Sequence, residues 1–288
     1  MTPAPVPDIY LGHFGLTQRP FSLVPDPEFL YWSPAHRAAY AMLDYGLLTR
    51  APITLLTGEI GVGKTTLLHH FMASLDDDVS VALVANARPG EGDLLRWILP
   101  ALGLPVTAGA REVELFGQFQ DHLIGEYAAG RRVLLIIDEA QNLSRDGLEE
   151  LRMLTNINAR KDELLQLVLA GQPELRQLVR RPELVQFAQR VAANYHIPAM
   201  DAPTVIAYIN HRLKVAGART EVFSRPAAEL VQMATAGIPR LINQLCDLSL
   251  TYAFSAGLSA VRRETVLQVL DDGVFFAGGA LLPLDVTE

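Results

Sequence analysis

Apolar positions along this chain change period twice, and the changes outline its architecture. From Pro34 to Leu48 alanines, leucines and a methionine recur at helical spacing. Ile53–Thr57 is a short apolar run that predicts a strand, and Lys64–Ser74 predicts the helix after it. Val79–Ala85 predicts a second strand, Glu91–Leu102 a helix ended by Gly103, and Val113–Ala128 another helix. The run Val133–Ile137 is continuously apolar and rich in β-branched residues, the pattern of a strand buried on both faces. Asp146–Asn156 returns to helical spacing, with Leu148, Leu151 and Leu154 on one face. Leu164–Ala170 and the shorter Tyr195–Ile197 predict further strands. Beyond Pro198 the strand signals fade, and Thr204–Ala216, Arg225–Ala236, Pro239–Ser255 and Arg262–Asp271 read as four helices. Val205, Ile209 and Leu213 form one apolar stripe there, and Leu241, Leu245 and Leu248 form another.

Strands alternating with helices imply an α/β fold with a parallel sheet flanked by helices, joined by right-handed crossovers and followed by a helical domain. The expected organisation is an N-terminal segment (1–50) packed on the core, an α/β core (51–200), a helical domain (201–275) and a tail (276–288). The first segment is expected to be packed because Tyr10, Phe14, Phe21, Phe29, Tyr31 and Trp32 crowd around Pro20, Pro25 and Pro27. No internal repeat or low-complexity tract interrupts this order.

Composition narrows the function classes. The formal net charge of −8 argues against a dedicated nucleic-acid binder, which usually carries a basic surplus. The single cysteine, Cys246, excludes an intrachain disulfide and a four-thiolate zinc site, and its apolar helical setting predicts a buried small side chain. The seven histidines show no metal-ligand spacing, and His69–His70 is expected to be a surface pair. No charged-then-apolar leader opens the chain, and the apolar stretch Val274–Leu284 is too short for a bilayer. A soluble, cytoplasmic protein is the expectation, with no membrane span.

Two motifs carry chemistry. The stretch Gly58-Glu59-Ile60-Gly61-Val62-Gly63-Lys64-Thr65, continued by Thr66, has the spacing of a phosphate loop, between a predicted strand and a predicted helix. The glycines let backbone N–H groups turn inward around phosphate oxygens, and the helix N-terminus directs its positive end at the same anion. Lys64 would reach the β- and γ-phosphates of ATP, and the Thr65 hydroxyl would take a position on Mg²⁺. The second motif is the apolar strand ending in Asp138-Glu139. Asp138 would hold the metal's shell, and Glu139 would polarise an attacking water, which favours hydrolysis over transfer to another acceptor.

Taken with Phe14-Gly-Leu, Arg19-Pro-Phe-Ser, Pro25-Asp-Pro-Glu-Phe-Leu-Tyr31, Asp138-Glu-Ala-Gln141, Ala170-Gly-Gln-Pro-Glu-Leu175, Gln189-Arg190 and Gly237-Ile-Pro-Arg240, these motifs give the chain a strong resemblance to AAA+ ATPases. More narrowly it resembles the ATPase region of the ExeA-type proteins of the general secretion pathway, over about residues 10–275. The resemblance implies a P-loop NTPase of AAA+ type in which 201–275 is a helical lid. It also implies roles for four polar residues. Gln172 looks like the first sensor of γ-phosphate, and Asn86 like the residue that restrains the catalytic glutamate until a partner engages. Arg190 resembles an arginine finger supplied to a neighbouring subunit, in competition with Arg180 and Arg181, and Arg240 resembles the second sensor. Members commonly continue into a membrane span and a peptidoglycan-binding region, and neither is found up to Glu288.

The function expected from the resemblance is a homo-oligomeric ATPase with ATP and Mg²⁺ at each site. It would drive or regulate a protein partner in assembling an envelope machine for secretion, pili or exopolysaccharide export, peripherally at the inner membrane. Two other readings compete: a DNA-binding nucleotide switch of the transposon type, for which Arg176, Arg180, Arg181 and Arg190 would speak, and a module that holds ATP without turnover.

Overall fold

The computed structural model describes residues 9–24, 26–85, 94–159 and 162–276. Its contacts divide into two compact units.

The larger unit, residues 34–59 and 64–197, is built on a sheet. Its strands are β1 (Ile53–Gly58), β2 (Val79–Val84), β3 (Arg132–Ile137), β6 (Leu165–Gly171) and β7 (Val191–Ile197), in the order β2-β3-β6-β1-β7. All neighbouring pairs are parallel. A parallel sheet needs crossovers that cover both faces. They are supplied by α2 (Pro34–Leu48), α3 (Lys64–Ala73), α4 (Leu94–Ala101), α5 (Glu112–Ala128) and α6 (Arg145–Leu154). The inner strands β1 and β6 are buried at every position, which is why their sequences are apolar without alternation. Helix α6 starts where the Ser144 hydroxyl accepts the Gly147 N–H at 3.0 Å, and it buries Leu148, Leu151 and Leu154 as its spacing predicts.

Four short strands and helices described in this unit have no counterpart in the periodicity. A two-residue antiparallel ladder, β4 (Asn158–Ala159) with β5 (Asp162–Glu163), follows α6. Two short helices, α7 (Pro173–Val179) and α8 (Val185–Ala188), lie between β6 and β7. Strand β7 also begins four residues before the expected Tyr195, because its outer positions are partly solvated and carry no apolar run.

The smaller unit contains residues 9–33, 60–63 and 198–276 among those described. Its helices are α9 (Ala202–Val215), α10 (Arg225–Thr235), α11 (Pro239–Ser255) and α12 (Arg263–Asp271). Asp201 caps α9 by accepting the Thr204 N–H at 3.0 Å, with Pro203 in the first turn where its missing donor is harmless. The α9 stripe Val205, Ile209 and Leu213 is buried as expected. On α11 the buried face is rotated from the expected stripe: Ile242, Leu245, Cys246, Ser249 and Ala253 form its centre, while Leu241 and Leu248 only flank it.

The segment expected to pack as one piece on the sheet is divided. Residues from Pro34 onward join the sheet unit, whereas Tyr10, Phe14, Leu16, Phe21 and Phe29 enter the core of the helical unit, with a short helix α1 (Leu11–Phe14). Polar contacts fix them there: Arg19 pairs with Asp247, the Tyr10 hydroxyl donates to the same carboxylate, and the buried Arg212 guanidinium donates to Pro20 O. Residues 277–288, most of the expected tail, lie outside the described residues. Among the described residues no helix is long and apolar enough to cross a membrane.

Candidate functional site

Because all five strands run the same way, the residues following β1, β3 and β6 collect at one edge of the sheet. Strand β1 delivers the phosphate loop. Gly61 and Gly63 take φ of +85° and +101°, in the region a Cβ disfavours, and α3 begins at Lys64. The Lys64 side chain is buried and turns back over its own loop, its Nζ donating to Gly58 O at 2.8 Å and Glu59 O at 3.0 Å. Burial lowers the pKa of this ammonium, and the carboxylates of Glu139, Asp138, Glu59 and Glu174 oppose the shift. A buried cation beside a glycine loop at a helix N-terminus fits the polyphosphate of a nucleotide. Val62 is buried within the loop, whereas Ile60 is 59% exposed and Thr66 is half-buried.

Strand β3 delivers the carboxylates. Asp138 is buried, its Oδ2 accepts the Thr65 hydroxyl at 2.6 Å, and its Oδ1 accepts the Glu139 N–H at 2.9 Å. Two hard oxygen donors thus converge from separate elements, a set that fits Mg²⁺. Glu139 has φ of +56°, an uncommon conformation for a residue with a side chain. Its Oε2 accepts Gln141 Nε2 at 2.5 Å and Gln172 Nε2 at 3.3 Å. Gln141 Oε1 in turn accepts the backbone N–H of Gln172 at 3.0 Å. Gly171 makes room for this amide, since a Cβ there would stand 2.7 Å from Gln141 Oε1.

The structure therefore brings together Lys64, Thr65, Asp138, Glu139 and Gln172 in the sheet unit. It does not bring Arg190 to them. Arg190 precedes β7, at the opposite edge of the sheet, and the length of a seven-residue strand puts it roughly 20 Å away. Its guanidinium donates to Thr155 O at 3.3 Å and Thr155 Oγ1 at 2.9 Å, and also to Asn156 Oδ1. Arg180 and Arg181 are exposed. Arg240 lies in the first turn of α11, exposed, and its N–H donates to Gly61 O at 3.2 Å within the helical unit. Asn86 lies outside the described residues. Two residues were not singled out by sequence. Gln141 entered only as the end of the Asp138-Glu-Ala-Gln141 stretch that carries the resemblance, with no role given to it. His196, whose Nδ1 lies 3.1 Å from the Thr57 hydroxyl just before the loop, had no local signal at all. Cys246 is fully buried, and burial pushes its thiol pKa well up. His69 and His70 are exposed, and no group of three or more potential metal-ligating side chains occurs among the described residues.

With the phosphate loop after β1 and the acidic pair two strands away, the class is defined: this is a P-loop NTPase fold of the AAA+ type. Residues 48–179 match the family described as AAA domain. The chain is related to General secretion pathway protein A of Aeromonas hydrophila, with 42% identity over 249 residues, or 86% of this chain and 46% of that relative. It thus spans about half the length of the curated relative it matches. Among solved structures it is similar to Drosophila ORC bound to DNA (TM-score 0.71, 17% identity, 96% of this chain and 70% of that one). It is also similar to Cdc6p from Pyrobaculum aerophilum (0.67, 18%, 86% and 71%) and to the Aeropyrum pernix ORC2 protein (0.64, 20%, 88% and 71%). At such identities these structures show the shared fold alone.

Proposed function

We propose that this chain binds ATP with Mg²⁺ and hydrolyses it, in a homo-oligomer that drives or regulates the assembly of an envelope machine through a protein partner. The observation that carries the ATPase reading is the convergence of Lys64, Thr65, Asp138 and Glu139 at one edge of the sheet. Lys64 and the backbone N–H groups of the loop neutralise the β- and γ-phosphates. Thr65 and Asp138 would hold Mg²⁺, which would supply Lewis-acid charge to the phosphate oxygens. Glu139 accepts a proton from the water that attacks the γ-phosphorus, the bond to the bridging oxygen breaks, and ADP and inorganic phosphate leave. Gln172 is read as the first sensor of γ-phosphate, and Arg240 and Asn86 as the second sensor and the glutamate restraint.

Arg190 is too far from its own loop to act there, so its catalytic reading requires a neighbouring subunit. An arginine supplied in this way can contribute about 10³–10⁵ in rate. The relationship to General secretion pathway protein A supports the secretion setting. The net charge of −8 speaks against duplex DNA as the principal ligand.

The test is ATP turnover against protein concentration for the wild type beside Lys64→Ala, Glu139→Gln and Arg190→Ala. The proposal expects specific activity to rise with concentration, Glu139→Gln to bind ATP without turning it over, and Lys64→Ala not to bind. Activity that is flat with concentration and indifferent to Arg190 would remove the inter-subunit part and leave the ATPase. Wild-type turnover no faster than Lys64→Ala would remove the ATPase itself.

A further inference from the structure

Gln141 uses both ends of its carboxamide, and each end reaches a different strand terminus. Its nitrogen donates to Glu139 Oε2 after β3, and its oxygen accepts the Gln172 N–H after β6. Gln172's own carboxamide reaches the same Glu139 oxygen, but at 3.3 Å against 2.5 Å from Gln141. The two amides are therefore not equivalent. Gln141 is the short, doubly anchored contact, and the Gln172 side chain is the long one, free to exchange partners while its backbone stays fixed. Both described donors engage Oε2, so Glu139 is oriented through one oxygen. Gly171 preserves the arrangement, because a side chain at that position would meet the Gln141 amide.

Resting on the ATP-hydrolysing reading of the site, we propose that Gln141 is the positioning residue for Glu139, its carboxamide locking the carboxylate's orientation to the main chain of Gln172. Gln172 Nε2 can then leave Glu139 for an anionic oxygen without disturbing either anchor. The charged groups around Glu139 are Asp138 from the end of β3 and the Lys64 ammonium from α3, with Glu59 and Glu174 completing the carboxylates around Lys64. Gln141 gives Glu139 an uncharged donor among these, so the carboxylate is held without an added charge beside it.

Two substitutions separate the two ends. Gln141→Glu has the same size and keeps an acceptor for the Gln172 N–H, but it loses the donor and places a second carboxylate against Glu139. Gln141→Met loses both ends and adds no charge. For the full chain, steady-state ATP turnover would be measured alongside affinity for a fluorescent ADP analogue, with Lys64→Ala as the inactive reference. The proposal expects both variants to lose about tenfold or more in kcat, with ADP affinity held within about twofold. Wild-type turnover in Gln141→Glu would overturn the proposal and leave Gln141 as an anchor of backbone only. Losses that fall equally on ADP affinity would also overturn it. If Gln141→Met does not fold, Gln141→Glu decides alone. Wild-type turnover no greater than Lys64→Ala would instead sink the ATPase reading on which the proposal stands.

Discussion

Gly171 is a position where the site accepts no side chain. A Cβ there would lie 2.7 Å from Gln141 Oε1 and 2.8 Å from Leu175 Cδ2, and Leu175 is fully buried and cannot retreat. Gly171→Ala is expected to cost about 1–3 kcal/mol by overpacking, read from urea unfolding. It should also lower kcat more than it weakens ADP binding. Glu139 gives the opposite sign. Its left-handed backbone costs about 1–2 kcal/mol for a residue with a Cβ, so Glu139→Gly should raise the unfolding midpoint while abolishing turnover. Lys64, Thr65, Asp138 and Glu139 were legible in the sequence because phosphate and metal chemistry constrains consecutive residues after a strand. Gln141 was not, because its role depends on a backbone N–H 31 residues away that only the pairing of β3 with β6 brings close.

Among the elements, the strands and helices with a sustained period appeared close to where the periodicity placed them. Those without one did not. The β4–β5 ladder is too short to alternate, and α7 is announced only by Pro173 in its first turn. The face of α11 was misjudged because leucine marks a stripe more loudly than the small residues that actually sit at its centre. The join between α6 and β7 was likewise invisible, since Thr155 and Asn156 lie 35 and 34 residues from the arginine they bind. This contact gives Arg190 a structural part within its own chain. Arg190→Ala should cost about 1.5–3 kcal/mol in unfolding free energy, as expected for lost hydrogen bonds to a charged group. Arg190→Lys should restore little of it, because an ammonium cannot reproduce the planar fork. An Arg190→Ala variant as stable as wild type in denaturant titration would argue that the contact contributes nothing in solution.

For the whole molecule, the buried polar groups of the helical unit set how stability responds to alkali. Burial, reinforced by the hydrogen bond to Asp247 and its charge, raises the Tyr10 pKa far above that of a free phenol. Burial also raises Tyr208 and Cys246. The fold therefore prefers all three protonated, while the unfolded chain releases protons from cysteine near pH 8.5 and from tyrosine near pH 10 (both about the free values). Above those points the native state binds more protons than the unfolded one, so stability is complete below about pH 8.5 and falls as pH rises. Each group contributes up to about 1.4 kcal/mol per pH unit beyond its unfolded pKa. Urea unfolding across pH 7–11 should show Cys246→Ala delaying the onset of the loss, and Tyr10→Phe reducing its slope above pH 10. An unchanged slope in Tyr10→Phe would mean that the phenol is not held protonated by the fold. The same cluster has a consequence for the order in which the chain is made. Tyr10 and Asp247 are 237 positions apart, so the aromatic residues around Tyr10 leave a ribosome long before their partners on α11. Every strand of the sheet is synthesised in between. Through that interval Phe14, Phe21 and Phe29 lack α9–α12 to bury them, and the nascent chain carries an adhesive segment until those helices arrive. Completion of the helical unit therefore waits on α9–α12, and products cut short before these helices would be the ones to aggregate.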